Sequence, residues 1–258
     1  METIDVTVSD HIVTVTLNRP AKKNAANETM WEELREAFRS IGEDSSTRVM
    51  VITGAAGSFC SGADLSARND EVPARDQRGT MRLVGDVALA LHRLPQPTIA
   101  KVRGVAVGAG CNLALGCDLV VAADNARFSE IFARRSLSLD FGGSWLLPRL
   151  VGMHRAKELA FFADILSAAD ALEYGLVNRV VPDAELDAFV DGWARRLAAG
   201  PPIALAQSKR LLNNAFAVTL EEALDDEGVA QTVNFSTNDT AEAMRAFLDK
   251  RDPVFTGQ

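Results

Sequence analysis

The chain has little of what staples, ligates or anchors a protein. Its 258 residues include three cysteines, Cys60, Cys111 and Cys117, an odd number in apolar or glycine-rich surroundings. That argues against a disulfide framework and suits reduced thiols in the cytoplasm. The three histidines, His11, His92 and His154, stand alone without a partner at ligand spacing, so no metal site is expected. There is no G-x-S-x-G elbow for a serine hydrolase and no GK[ST] phosphate loop. Apolar runs break at glycine or charge well short of bilayer length, and Met1 to Asp5 lead into a strand pattern, not an apolar leader. A protein neither exported nor held in a membrane is expected. Basic charge is also short: a net charge of −8 argues against nucleic acid as a partner.

What is present is enough apolar residue, 47%, to bury a large core without staples. Val13, Val15 and Leu17 alternate with threonines as a half-buried strand, and Ser9-Asp10 before them suggests a hairpin turn. Thr29 with Glu32 is a capping-box pattern opening a helix through Met30, Leu34, Phe38 and Ile41. Val49 to Ile52 reads as a strand buried on both faces. A helix through Leu83, Val87 and Leu91 follows, then strands at Thr98 to Val102 and Leu119 to Ala122. Strand and crossover helix in alternation give an α/β core over residues 1–200. Beyond Gly142 the pattern turns helical, with helices expected at Ala156 to Ala163, Ala168 to Tyr174, Ala184 to Ala199, Ile203 to Phe216 and Leu220 to Phe235. Thr219/Glu222 and Asp239/Glu242 are capping-box patterns for the last two helices of a C-terminal region spanning 201–258.

Two loops could carry chemistry. Ser58 to Leu65 and Gly104 to Gly110 each place small residues after a strand, where backbone can approach a ligand closely. Together they could offer one N–H apiece to a single oxygen; taken singly, each also suits a tight turn that lets a helix pack on the sheet. A dinucleotide fingerprint fails in the second loop, where Leu113 holds the place of the third glycine.

The segments Asn18-Arg19-Pro20, Phe59-x-x-Gly62-Ala63-Asp64-Leu65, Gly104-x-x-x-Gly108-Ala109-Gly110 and Cys117-Asp118-Leu119, in this order, resemble the crotonase (enoyl-CoA hydratase/isomerase) superfamily. Ala126-x-Phe128, Gly142-Gly143-x-x-x-Leu147-Pro148-Arg149, Tyr174-Gly175-Leu176-Val177 and Phe247-x-x-Lys250-Arg251 extend the likeness over nearly the whole chain. The resemblance implies a crotonase-like spiral of ββα units with a C-terminal helical region that builds trimers, often paired into hexamers. It implies an acyl-CoA thioester as substrate and no separate cofactor. The N–H groups of Ala63 and Ala109 would hold the thioester oxygen. Lys22, Ala25 and Ala26 would meet the adenine and phosphates. Ala63, Asp64, Leu65, Ser66, Gly108 and Phe132 would line the acyl and pantetheine path, and Phe247 and Lys250 would reach CoA, often from a neighbouring subunit. Trp145 would either shape the acyl pocket or simply pack in the core, the commoner place for a Trp. The polar segment 66–82 would form a flap over the acyl pocket.

Two departures bear on the reaction. The hydratases of this superfamily carry two glutamates, and here Asn112 and Phe132 stand in their places, with Glu130 two residues out of register. In their stead Asp140, before Phe141-Gly142-Gly143, resembles the lone aspartate of members that move a double bond. Apolar neighbours would raise its pKa and suit it to proton transfer, although Asp is equally a preferred cap for the helix beginning near Gly142. The expectation is a single-aspartate enoyl-CoA isomerase. A 2-enoyl-CoA hydratase and a non-catalytic acyl-CoA-binding subunit are the alternatives.

Overall fold

The computed structural model describes residues 1–65 and 77–258. The chain opens with the hairpin β1 (Ile4–Ser9) and β2 (Ile12–Leu17), turned at Asp10 and His11, both in the left-handed region. Helix α1 (Glu28–Glu43), β3 (Val49–Gly54), α2 (Gln77–His92), β4 (Thr98–Val102), β5 (Val105–Val107) and α3 (Ala109–Leu115) follow. Next come β6 (Leu119–Ala123), β7 (Arg127–Ser129), α4 (Gly143–Phe162), β8 (Leu166–Ser167), α5 (Ala168–Tyr174) and β9 (Arg179–Val181). Helices α6 (Leu186–Ala198), α7 (Pro202–Asn214), α8 (Leu220–Phe235) and α9 (Asn238–Asp249) complete the chain.

Two sheets are wound together. The larger has the order β1-β2-β3-β4-β6-β9, parallel apart from the opening hairpin. The smaller has the order β5-β7-β8 and is extended by single parallel bridges, Cys60 with Ala106 and Ala26 with Ala63. Each turn of the spiral therefore gives one strand to the large sheet, one extended segment to the inner layer, and then a helix: β4–β5–α3 is the clearest case. The apolar run of β3 follows from this layering. Met50 and Ile52 join the main core with Leu34 and Phe38 of α1, while Val49 and Val51 face Leu186, Val190 and Ala194 of α6. Burying such side chains contributes roughly 1.5–3 kcal/mol each. The three cysteines are buried free thiols.

Several expected helix signals sit elsewhere. The cap of α1 is Asn27, whose Oδ1 accepts the Met30 N–H at 3.0 Å, and not Thr29 of a Thr29/Glu32 box. The chain leaves the Ala26 bridge extended and Asn27 makes the turn. Helix α4 begins at Gly143, at the helix start expected near Gly142, and runs past Pro148 and a break at Gly152 (φ +76°) to join the stretch expected from Ala156. Helix α6 starts at Leu186 after a short 3-10 turn, Asp183–Glu185. Helix α9 is capped by Thr237. The expected capping pair is otherwise engaged: Asp239 accepts from the Thr256 and Gly257 N–H groups, and Glu242 pairs with Arg251 at 2.6 Å. By contrast α5 and α8 lie where expected, and α8 carries the Thr219/Glu222 capping box. Lys209 of α7 reaches Asp118 at 2.7 Å, and Arg48 donates to the carbonyls of Ala198 and Phe255, tying the C-terminal helices to the core.

Candidate active site

The two glycine loops run side by side because backbone pairs them. The Cys60 N–H donates to Val105 O at 2.8 Å and the Val107 N–H to Cys60 O at 3.0 Å, which aligns residue 60 with residue 106. Ala63 and Ala109 thus stand three residues beyond the same point. Gly62 (φ +96°) and Gly108 (φ +57°) turn the chain immediately before each alanine. A β-carbon on Gly62 would stand 2.9 Å from Val107 O, so the loops approach this closely only through glycine. The bridge to Ala26 uses the N–H groups of Ala26 (to Gly62 O) and Asp64 (to Ala26 O), both at 2.8 Å, and bypasses that of Ala63. Ala109 opens α3, so its N–H has no acceptor within the helix. Among the described residues neither N–H has an acceptor.

Two carboxyl groups, Asp140 and Glu130, meet the Asn112 amide of α3. Asp140 lies between β7 and α4, and its main-chain oxygen accepts from Gly143 N (2.9 Å) and Asn112 Nδ2 (3.0 Å). Its side chain does not cap α4: the cap position is Gly142, with no side-chain bond. Asp140 Oδ1 is instead buried with no hydrogen-bond partner among the described residues, and burial raises its pKa to about 6. Next to it Glu130, only 2% exposed, accepts from Asn112 Nδ2 at 3.2 Å through Oε2. Burial pushes its pKa up to about 7, with the Asp140 charge a smaller contribution. A β-carbon on Gly143 would stand 2.4 Å from Asn112 Nδ2, so glycine admits the bridging amide. Phe141, in the left-handed region at φ +47°, packs its ring against Trp31 of α1 with centroids 5.5 Å apart, which fixes the Asp140 segment to the core.

Glu130 is the functional candidate that motif counting passes over. Strand periodicity marks it: Ala126, Phe128 and Glu130 alternate along one extended run, and all three are at most 2% exposed. Its raised pKa has a measurable consequence. The folded chain binds the Glu130 proton more tightly than the unfolded chain, so this stabilisation is complete below about pH 4.3 and lost as pH rises through about 7, a change of about 3 kcal/mol. Glu130→Gln is therefore expected to raise the urea midpoint at pH 8 and leave it nearly unchanged at pH 5. An equal shift at both values would remove ionisation as the cause.

Other expected residues divide. Ala25 and Ala26 are buried beside Ala63, and Lys22 ends the 3-10 turn just before them. Asp64 is held by Arg19 at 2.9 Å. Leu65 is largely exposed, and the Phe132 ring lies under Gly108, 3.7 Å from where its β-carbon would be. Ser66 and the expected flap as far as residue 76 lie outside the described residues, while 77–82 form the first turns of α2 and not a loop. Trp145 is not core: at 40% exposed it stacks on the Arg149 guanidinium, 3.9 Å from the ring centre, and meets His92 edge-on. It lines an apolar cleft of about 440 Å³ with Ala88, Leu89, Phe141 and Gly142. Phe247 stands on α9, which packs on α8, and is 83% exposed on a single chain, while Lys250 is the left-handed residue that ends this helix. Among the described residues no cluster of His, Cys, Asp or Glu could hold a metal ion, and no helix is long and apolar enough to cross a membrane.

Paired glycine loops over a two-sheet spiral, with a half-buried carboxyl at the entry of the following helix, make an α/β enzyme site with backbone donors and a candidate base. The chain belongs to the enoyl-CoA hydratase/isomerase family, whose model matches residues 7–258. It is 40% identical to the 1,2-epoxyphenylacetyl-CoA isomerase of Escherichia coli K12 over the full length of both chains. It is 37% identical to a probable enoyl-CoA hydratase of Rhodobacter capsulatus, covering 99% of this chain and 98% of that one. The solved enoyl-CoA hydratase of Bacillus anthracis superposes with a TM-score of 0.94 at 34% identity, over 99% of this chain and all of that one. The crotonase-like fold expected from the glycine and aspartate motifs is thereby confirmed.

Proposed function

We propose that the chain is an enoyl-CoA isomerase that works through a thioester enolate with Asp140 as its single base. The observation that carries this reading is the half-buried Asp140 carboxyl, whose Oδ1 is buried without a partner among the described residues and which is not spent on capping α4. Its carboxylate takes a proton from C2 of a 3-enoyl-CoA, and the electrons move onto the thioester oxygen. The N–H groups of Ala63 and Ala109 hold that dienolate oxygen, aided by the N-terminal end of α3. Asp140 then returns the proton at C4 and gives the 2-enoyl-CoA, with no atom gained or lost. A pKa near 6 leaves Asp140 ionised at neutral pH yet close enough to give its proton back. The isomerase name of a 40% identical relative supports the same choice.

The CoA moiety lies along Lys22, Ala25, Ala26, Asp64, Leu65 and Ser66, with the acyl group toward Gly108, Phe132 and Trp145. Phe247 and Lys250 act from a neighbouring copy. The exposed apolar residues of the C-terminal helices, among them Leu212, Phe216, Leu220, Phe235, Phe247 and Leu248, support assembly into trimers or paired trimers. Light scattering is expected to give the mass of three or six chains, and a monomer would remove this assembly.

A second reading is hydration of a 2-enoyl-CoA, favoured by the presence of Glu130 as a further buried carboxyl. Mass and absorbance analysis with 3-enoyl-CoA and 2-enoyl-CoA in parallel separates the two. A conjugated product of unchanged mass from the 3-enoyl substrate is expected. A product heavier by one water would replace isomerisation by hydration, and binding without turnover of either would leave an acyl-CoA-binding subunit.

A further inference from the structure

Asn112 from α3, Glu130 from the turn after β7 and Asp140 from the segment entering α4 converge on one buried place. The Asn112 amide nitrogen donates to Glu130 Oε2 and to the Asp140 main-chain oxygen. Three acceptor atoms then remain buried without a donor among the described residues: Asn112 Oδ1, Glu130 Oε1 and Asp140 Oδ1. Orphaned acceptors are costly, and three around the Asn112 amide call for donors beyond the Cys111 thiol, the one neighbouring side chain that offers Glu130 a proton. Two ionised carboxylates would only add to the shortage. One proton and one water molecule close it. Protonated Glu130 turns Oε1 into a donor; the water accepts that bond and donates its two O–H groups to Asn112 Oδ1 and Asp140 Oδ1.

We propose that Glu130 is a positioning residue for Asp140: it keeps a proton of its own and, through one bridging water held against Asn112, presents a hydrogen bond to the Asp140 carboxylate. This rests on Asp140 being the base, as proposed above. The Glu130 proton is not passed to substrate; the substrate proton alone moves, onto Asp140 and back. The titratable groups facing Glu130 are Asp140 and the Cys111 thiol of α3, which burial keeps protonated. No cation is among the groups acting on either carboxyl. When Glu130 ionises, the bridge loses its donor and a like charge is set beside Asp140. The base is then misplaced and its proton harder to return. Burial puts that ionisation near pH 7, inside the working range of the site.

The test reads the carboxyl directly. Infrared difference spectra between pH 5 and pH 9 are recorded on the whole protein and on Glu130→Gln and Asp140→Asn. A carboxylic-acid band with a midpoint near 7 is expected, lost in Glu130→Gln and lowered in Asp140→Asn, where the like charge is gone. In parallel, kcat of the unsubstituted enzyme is expected to fall about tenfold as pH rises through that midpoint. Glu130→Gln keeps an N–H donor and should flatten this limb, with KM within about twofold. Glu130→Leu, with neither donor nor acceptor, should lower kcat about tenfold at every pH. A Glu130 already ionised at pH 5, a midpoint unmoved in Asp140→Asn, or an alkaline limb that survives in Glu130→Gln overturns the proposal. The spectral arm needs no turnover. An unmoved midpoint therefore defeats the pairing even when Asp140→Asn is inactive, whereas an active Asp140→Asn defeats the base assignment itself.

Discussion

Asp140→Asn is expected to lower kcat for 3-enoyl-CoA isomerisation by about a thousandfold, roughly 4 kcal/mol of barrier, with acyl-CoA affinity within about threefold. Asparagine has the volume of aspartate, and the side-chain oxygen lost makes no hydrogen bond among the described residues. What anchors the segment is the main chain. The Asp140 carbonyl stays bonded to Asn112 and Gly143, and Phe141 stays packed on Trp31. The effect on stability runs the other way. Burial raises the folded pKa of Asp140 to about 6, so its contribution to stability is complete below about pH 4 and lost as pH rises through 6. At pH 8 the asparagine variant should be at least as stable as the parent. Opposite signs on rate and stability separate a residue kept for chemistry from one kept for structure, whose loss would lower both. Stopped-time assays of the conjugated product and urea titration at pH 8 read the two quantities. Activity within tenfold of the parent would leave the site without its base.

Much of the fold is legible because local and tertiary signals agree. The continuous run Val49 to Ile52 has to be buried on both faces, and the structure supplies α1 on one side and α6 on the other. Helix α5 ends where Gly175 says it should, and α8 begins at its Thr219/Glu222 capping box. The failures have physical causes. Thr29 and Asp239 fit the capping pattern, but a cap needs extended backbone at the right turn, and Asn27 and Thr237 hold those turns. The continuity of α4 into the stretch from Ala156 hides behind Pro148 and Gly152. At the site, the motifs mark both glycine loops and Asp140, yet they pass over Glu130. Matching it against a pattern of glutamates puts it two residues out of place, while its direction depends on strand alternation after Phe128. That the Asp140 carboxyl is free of the α4 cap, and that Asn112 joins it to Glu130, are facts of packing between α3, β7 and α4. No spacing in the chain encodes them.

Ala109→Pro should cost about a hundred- to a thousandfold in kcat, roughly 3–4 kcal/mol, although it leaves every carboxyl in place. The proposed reaction gives Ala109 a role through its N–H alone, and proline is the residue that removes an N–H and little else. Ala109 is the first residue of α3, the helical position where proline is tolerated because the N–H there has no intrahelical acceptor. The backbone before it is set by Gly108 and is not helical. The added ring carbons enter a position only 2% exposed, so packing must be separated from hydrogen bonding. Ala109→Gly does so: it disturbs the packing and the helix start while keeping the donor. If a missing donor is the cause, proline should lose far more activity than glycine, with both variants giving the parent's circular dichroism and similar affinity for CoA itself. The loss should fall on kcat more than on KM, because the thioester oxygen calls on the donor most when it carries the enolate charge. Equal losses in the two variants would assign the effect to packing around α3, and the thioester oxygen would then have to be held elsewhere.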